Sequence, residues 1–122
     1  MGKVLTFKDA PRDPKSQKGR NNYFLVSPDI GSTKMTVILD VYDPNMTQKH
    51  HHYHKQREQA YIALEGSGTY DLSGKVYDIK PGTVVFIQPG DKHGIKGAGP
   101  KGLKMLEIYS APLDNDTIMV EE

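Results

Sequence analysis

The sequence predicts an all-β fold, either a sandwich or a barrel, and two observations carry this prediction. Short runs rich in Val, Ile, Leu, Tyr and Phe recur from Tyr23 onward, and each ends in a cluster of Gly, Pro, Asn or Asp. No segment of about a dozen residues has the apolar period of an amphipathic helix. Many short strands separated by turn residues are typical of sandwiches and barrels. The runs are Tyr23–Ser27, Met35–Tyr42, His51–His54, Gln59–Leu64, Thr69–Leu72, Val76–Ile79, Thr83–Ile87, Lys92–Lys96 and Leu103–Tyr109.

Turn residues define where these predicted strands end. Asp43-Pro44-Asn45 closes one run, and Glu65-Gly66-Ser67-Gly68 is expected to close another. Ser73-Gly74 is a candidate two-residue hairpin turn, in which glycine supplies a positive φ. Lys80-Pro81-Gly82 and Gln88-Pro89-Gly90 indicate further chain reversals.

The length of 122 residues fits one domain. Residues 1–22 are expected to form an N-terminal arm, because residues 8–22 (KDAPRDPKSQKGRNN) are polar and rich in helix and strand breakers. Residues 23–112 are expected to form the barrel domain. Residues 113–122 form a C-terminal tail with room for one short turn or strand.

Charge and composition exclude several classes of function. Sixteen basic and fifteen acidic residues give a net charge of +1, so no broad basic surface for nucleic acid is expected. No apolar run reaches the roughly 18–20 residues of a membrane span, and the N-terminus has no signal-peptide core. We therefore expect a cytoplasmic protein. Because cysteine is absent, any bound metal must be held by histidine, carboxylate, amide or water.

The histidines form the candidate metal site. Four of the five lie within His50–His54. Alternate residues of a strand share one face, so His52 and His54 point the same way and can bind one ion that prefers nitrogen ligands. Gln59 opens the next predicted strand, and His93 follows a later turn. Taken alone, a histidine-rich stretch is a weak signal, since such stretches are often incidental.

The surroundings of these histidines resemble the two sequence motifs of the cupin family, in order, over about residues 23–112. The first motif reads HYHKQREQAYIALEG from His52 to Gly66, and the second reads GTVVFIQPGDKH from Gly82 to His93. The resemblance implies a double-stranded β-helix, also called a jelly-roll barrel. It also implies one divalent metal ion (Zn, Ni, Fe, Mn or Co) bound by three histidines and the residue at the motif's glutamate position.

This chain departs from the family motifs at three positions. Met46 stands where the first motif has a glycine, and Gln88 stands where the second has a proline. At the glutamate position, counting back from Gly66 leads to Gln59. A shorter spacing from His54 leads to Glu58, which would lie one residue out of phase and face the opposite side of the strand. Gln59 is therefore the preferred fourth ligand, and Glu58 is its rival.

A glutamine ligand changes the expected chemistry. Replacing a carboxylate with an amide leaves the ion its full formal double charge, which makes it a stronger Lewis acid and attracts anionic substrates. Higher oxidation states of a bound iron or manganese become less accessible, because an anionic ligand is lost. The leading interpretation is therefore a metal-dependent isomerase or lyase acting on a small polar or anionic molecule. Two alternatives stay open: a dioxygenase or oxidative decarboxylase, and a non-catalytic small-molecule binding or sensor protein.

Within the family, the ligand pattern is similar to small cupins that open unsaturated uronate rings, which implies a sugar-acid-like substrate. In those proteins an aspartate on the last strand and an arginine six residues later assist catalysis. Glu107 and Leu113 are the matching positions here. Glu107 is a candidate catalytic acid or base if its face of the strand looks into the barrel. Leu113 has no charged group that could bind a carboxylate, so only the broader class of isomerase or lyase chemistry is expected.

Small cupins are commonly homodimers. The polar arm and an exposed sheet edge favour the pairing of two chains here. The expected partners are therefore a second copy of the chain and a small-molecule substrate or ligand.

Overall fold

The computed structural model describes residues 2–113 and 116–120, and they form an all-antiparallel β-structure. Parts of the expected C-terminal tail, residues 114–115 and 121–122, lie outside the described residues. Two short 3-10 helices span Phe7–Asp9 and Pro28–Ile30. The strands are β1 (Arg20–Val26), β2 (Met35–Tyr42), β3 (His51–His54), β4 (Gln59–Leu72), β5 (Lys75–Ile79), β6 (Val84–Ile87), β7 (His93–Ser110) and β8 (Thr117–Val120).

Strand β7 organises the sheet because it pairs with three other strands. The sheet order is β1-β2-β7-β3-β8, and β4 pairs with β5, β6 and β7. The β4–β7 pairing is the longest, running from Gln59 opposite Tyr109 to Leu72 opposite His93. The start of β7 also pairs with β3, where His52 lies opposite His93. This register brings the two predicted metal-binding segments together.

One predicted interruption is a bulge inside a long strand. Glu65-Gly66-Ser67-Gly68 does not end a strand as predicted, because β4 continues through it to Leu72. The register with β7 shifts there, and Gly66 has a φ of 82°. A Cβ on Gly66 would lie 2.1 Å from the carbonyl oxygen of Gly102, so only glycine fits this close approach.

The core lies between the inward faces of the strands. Its buried side chains are Tyr42, Tyr61, Ala63, Tyr70, Ile79, Val85, Ile87, Ile95, Leu103 and Met105. On β6, Val85 and Ile87 point inward whereas Val84 and Phe86 are exposed, as strand alternation requires. The three tyrosines act as large packing groups, and the rings of Tyr61 and Tyr70 lie 5.3 Å apart.

Both ends of the chain contribute to the sheet. Strand β1 begins at Arg20, three residues before the expected start of the barrel domain. Strand β8, within the segment expected as a tail, pairs with β3 from His51 opposite Val120 to His54 opposite Thr117. Within the described ranges, no helix has the length and apolar character needed to cross a bilayer.

Candidate metal site

Three imidazoles converge at one point inside the barrel. One potential ligand atom from each of His52, His54 and His93 lies within 4.8 Å of the others. The ring of His52 lies 4.3 Å from that of His93 and 5.0 Å from that of His54. The pairing of β3 with the start of β7 produces this cluster, because it sets His52 opposite His93. The expected convergence of His93 on the other two is therefore present.

The structure separates the two rival fourth ligands. Gln59 is 2% exposed, and its Oε1 lies 2.8 Å from Nε2 of His54. Glu58 is exposed and lies on the opposite side of the strand start. Strand alternation explains this separation, since consecutive residues face opposite sides of a sheet.

The imidazoles have the properties that a divalent metal requires. Nδ1 of His93 donates to the carbonyl oxygen of Asp91 at 2.9 Å, which leaves Nε2 as the lone-pair nitrogen. That Nε2 is buried and has no hydrogen-bond partner among the described residues. Burial, followed by repulsion from the neighbouring imidazoles, lowers the pKa of His52 to about 3. Burial also lowers the pKa of His93, and that of His54 falls to about 4 through burial and the charge of Arg57. Neutral, convergent imidazoles fit one divalent ion.

A chain of polar contacts leads from this cluster to a buried carboxylate. Nε2 of Gln59 donates to Oε2 of Glu107 at 2.5 Å and to the hydroxyl of Tyr61 at 3.2 Å. Glu107 is 8% exposed, so its face of β7 looks into the barrel. Arg20 donates to Oε1 of Glu107 at 3.2 Å and to Oδ2 of Asp40 at 3.4 Å.

Asp40 is fully buried beside Glu107, on the neighbouring strand β2. Burial, and then the charge of Glu107, raises the pKa of Asp40 well above its usual value. That shift favours the neutral form of Asp40 beside the Arg20–Glu107 ion pair.

The cluster opens into a polar cavity of about 230 Å³. His52, His54 and Glu107 are among its lining residues, and Arg20 and Arg57 add positive charge. The remaining lining residues come from the N-terminal arm, β1, the segment before β3, and β8; they are Lys15, Ser16, Gln17, Asn22, Gln48, His50, Thr117 and Met119. A larger cavity of about 550 Å³ near Phe7 is lined mainly by apolar groups and has no histidine or carboxylate.

Sequence reasoning missed the contributions of Arg20, Arg57, Asp40 and the arm. Arg57 is 7% exposed, and its guanidinium lies 4.1 Å from the ring centre of Tyr109. Arg20 lay in a segment assigned to a solvated arm, and Arg57 lay between the two predicted strands. Of these residues only Arg57 lies within two positions of a predicted ligand, so local spacing offered no signal for the others.

A family comparison agrees with this geometry. Residues 38–109, more than half of the chain, match the family model described as "Cupin domain". The chain belongs to the cupin family. Its fold is the expected double-stranded β-helix, and a cupin barrel with this histidine cluster is compatible with one divalent metal ion.

Curated relatives of this cupin match only part of their length. A glucose-6-phosphate isomerase from Pyrococcus abyssi is 32% identical over 75 residues, which are 57% of this chain and 40% of that protein. An L-ectoine synthase from Aliivibrio fischeri is 29% identical over 68 residues, which are 55% of this chain and 52% of that protein. The matched region thus spans about half or less of these relatives.

Solved structures match this cupin almost end to end. KdgF from a Halomonas species superposes with a TM-score of 0.78 at 15% identity, covering 93% of this chain and 97% of that one. The Streptomyces nucleoside dehydratase Pac13 gives a TM-score of 0.74 at 15% identity, covering 99% and 92%. At these identities the likeness shows the fold alone.

Proposed function

We propose that this cupin is a metal-dependent enzyme that carries out isomerase or lyase chemistry on a small, anionic, sugar-acid-like molecule. The observation that carries the proposal is a buried carboxylate, Glu107, which accepts from the amide of Gln59; that amide also contacts His54, one of three convergent imidazoles. A carboxylate beside a metal-binding imidazole cluster suits proton transfer next to a polarised substrate oxygen. A sensor without turnover would not need the carboxylate in this position.

In the proposed mechanism, His52, His54 and His93 would hold one divalent ion, with Gln59 as the fourth ligand. The bound ion would supply Lewis-acid polarisation of a substrate carbonyl or hydroxyl oxygen. Glu107 accepts a proton from the substrate and returns it at a second position or to a leaving group. Arg20 fixes the carboxylate through its contact with Oε1.

The character of the cavity supports a small anionic substrate. A volume of about 230 Å³ equals the liquid volume of about eight water molecules. That suits a metabolite-sized molecule better than a polymer. Arg20 and Arg57 contribute positive charge to the lining, and Glu107 is its single carboxylate within the described residues. One curated relative, the glucose-6-phosphate isomerase from Pyrococcus abyssi, belongs to one of the proposed reaction classes.

Elemental analysis of the purified protein tests the metal site. We expect close to one divalent ion per chain. Gln59→Ala should lower metal affinity about tenfold or more, as the loss of a ligand or its orienting partner does elsewhere. Glu58→Ala, the matched control one residue away, should leave affinity unchanged. The reverse result for the two variants would make Glu58 the ligand, and no metal in any preparation or titration would favour the sensor alternative.

Proton exchange tests the reaction class. In D2O, a panel of sugar acids and sugar phosphates followed by NMR should show deuterium incorporation or conversion of one member. Glu107→Gln should reduce that rate about 100-fold or more while keeping the metal, because general acid–base catalysis contributes that much. Glu65→Gln, which alters an exposed carboxylate on β4, is the control. Oxygen consumption coupled to turnover would instead support the dioxygenase alternative.

We also propose that the protein forms a homodimer. Several apolar side chains on β5 and β6 are exposed, among them Val84 at 63% and Phe86 at 53%. Within the described residues β6 pairs with β4 alone, so its other edge is open to pairing. Size-exclusion chromatography with light scattering should give twice the chain mass, and a clean monomer at micromolar concentration would contradict the proposal.

A further inference from the structure

The N-terminal arm forms part of the wall of the metal cavity. Lys15, Ser16 and Gln17 line it together with His52 and His54, although they lie more than thirty residues earlier in the chain. The arm therefore lies beside any molecule that is bound at the histidines in this cavity. None of these arm residues belongs to either cupin sequence motif.

Local hydrogen bonds hold the arm in this position. The side chain of Asp13 accepts from the backbone N–H of Lys15 at 2.9 Å, which is an Asx turn. The hydroxyl of Ser16 donates to the carbonyl oxygen of Asp13 at 2.7 Å and accepts from the N–H of Asn22 at 3.1 Å. The N–H of Asp13 donates to the carbonyl oxygen of Asn22 at 2.7 Å. The turn carrying Lys15 is thus tied to β1.

The three cationic side chains that line the cavity differ in the protein groups that they already contact. Arg20 is occupied by Asp40 and Glu107. Arg57 donates to the carbonyl oxygen of Pro112 and to the hydroxyl of Thr117. Lys15 is exposed and forms no ion pair among residues 2–113 and 116–120. Its ammonium group is therefore the lining cation that a ligand can engage without displacing a protein contact.

We propose that Lys15 is a specificity-determining residue that binds the distal anionic group of the substrate, while the oxygen undergoing chemistry lies at the histidine cluster. This inference rests on the proposed function and adds a second binding point to it. The substrate class is then bifunctional: an oxygen donor at one end and a carboxylate or phosphate group at the other. An ammonium serves either anion, because it binds as a point charge without a fixed geometry.

A series of linear dicarboxylates tests this second binding point. Malonate, succinate and glutarate are titrated by calorimetry into the Zn2+-loaded protein, and acetate and propionate provide the affinity of a single carboxylate. Phosphonoacetate and 3-phosphonopropionate repeat the test with a phosphonate at one end. Metal content is measured first on every protein, so failure of the metal site is recorded separately from failure at Lys15.

For one chain length, the second anionic group should improve the affinity of the wild type about three- to fivefold, the range of a partly exposed ion pair. Lys15→Met should abolish that gain and leave monocarboxylate affinity and metal content unchanged. Lys18→Met, the same change three residues along the arm at a position outside the cavity lining, should retain the gain. A gain that survives in Lys15→Met, that is lost equally in Lys18→Met, or that is absent from the wild type overturns the proposal. If the phosphonate series alone shows the gain, the distal group is a phosphate; if the carboxylate series alone shows it, a carboxylate.

Discussion

The two ends of the Gln59 amide face different groups, and each end suits what it faces. Its carbonyl oxygen faces His54, and its NH2 group donates to Glu107. A carboxylate at this position would keep the first contact and lose the second, because an ionised carboxylate cannot donate. The glutamine therefore allows the carboxylate of Glu107 to lie close to the imidazole cluster. In this site Glu107 supplies, close by, the carboxylate that the motif's glutamate would have placed at position 59.

Gln59→Glu should destabilise the metal-free protein, and more so at high pH. The new carboxylate would face Glu107, and this like-charge contact raises the pKa of the pair above its value in the unfolded chain. A raised folded-state pKa contributes stability at low pH that is lost as the pH rises. Urea unfolding of chelator-treated protein should therefore show a larger loss relative to wild type at pH 8 than at pH 5.5, on the order of 1–3 kcal/mol at pH 8.

Glu58→Gln is the matched control for that experiment, because it changes an exposed carboxyl one residue away. It should shift the free energy of unfolding by less than about 0.5 kcal/mol at either pH. Equal losses for Gln59→Glu at pH 8 and pH 5.5 would contradict the electrostatic argument and point to a packing defect.

The low pKa values of the imidazoles predict acid sensitivity of the metal-free protein. His52 and His54 take up protons near pH 6.5 in the unfolded chain but only near pH 3 and pH 4 in the fold. Between these values the unfolded state binds more protons, so stability must fall as the pH falls from about 6.5 toward 4. The melting temperature of chelated protein should follow this trend. His52→Gln should flatten it, and His50→Gln, at an exposed position, should not.

At the scale of strands, the sequence predicted the elements better than their lengths. The alternation of Val85 and Ile87 against Val84 and Phe86 is visible in the pattern, and so is the shared face of His52 and His54. Glycine clusters were interpreted as turns, yet Gly66 forms a bulge within β4. A turn and a bulge both need a residue with a positive φ. Whether such a glycine forms a turn or a bulge depends on the strand that pairs with it.

The candidate site was predictable where local spacing determined it. Strand phase selected Gln59 over Glu58 for the inward face, and motif order brought in His93. The placement of Arg20 beside Glu107 was not predictable, because it depends on β1, β2 and β7 lying side by side across 87 positions of sequence separation. The same long-range pairing hid the roles of Asp40 and the arm.

Strand β8 supports the cluster by way of Thr117. Its hydroxyl lies 3.2 Å from Nδ1 of His54 and accepts from Arg57. An oxygen at this place can take the Nδ1 proton, which frees Nε2 as a ligand. Asp116 secures the start of β8, because its Oδ2 accepts from the backbone N–H groups of Gln56 and Arg57.

Thr117→Val should therefore lower metal affinity about tenfold with a small change in melting temperature, since the two side chains have similar shape and valine lacks the hydroxyl. Competition with a chelator of known affinity measures the effect. Thr47→Val, at an exposed position outside the cavity lining, is the control. An unchanged affinity in Thr117→Val would show that the backbone pairing of β3 with β8 orients His54 without the hydroxyl.

At the scale of the whole molecule, the proposed ligands come from three strands, and β7 is distant in sequence from β3 and β4. His52 and His54 lie on β3, Gln59 begins β4, and His93 begins β7. An ion bound by all of them would join segments that come together only in the folded state. The free energy of metal binding then adds to the free energy of folding, because the unfolded chain presents no such site.

Metal at a hundredfold excess over its dissociation constant should stabilise the fold by about 2.7 kcal/mol, or roughly 10 °C in melting temperature for a domain of this size. Calorimetric melting with Zn2+ and then with excess chelator measures the shift and its reversal. His93→Ala should abolish the shift, because the variant loses the one ligand supplied by β7. His50→Ala should keep it, since this exposed histidine lies outside the three-imidazole cluster. A shift of equal size in His93→Ala would place the stabilising ion elsewhere, for example at the His50–His52 segment alone, and would remove the basis for a site that spans β3 and β7.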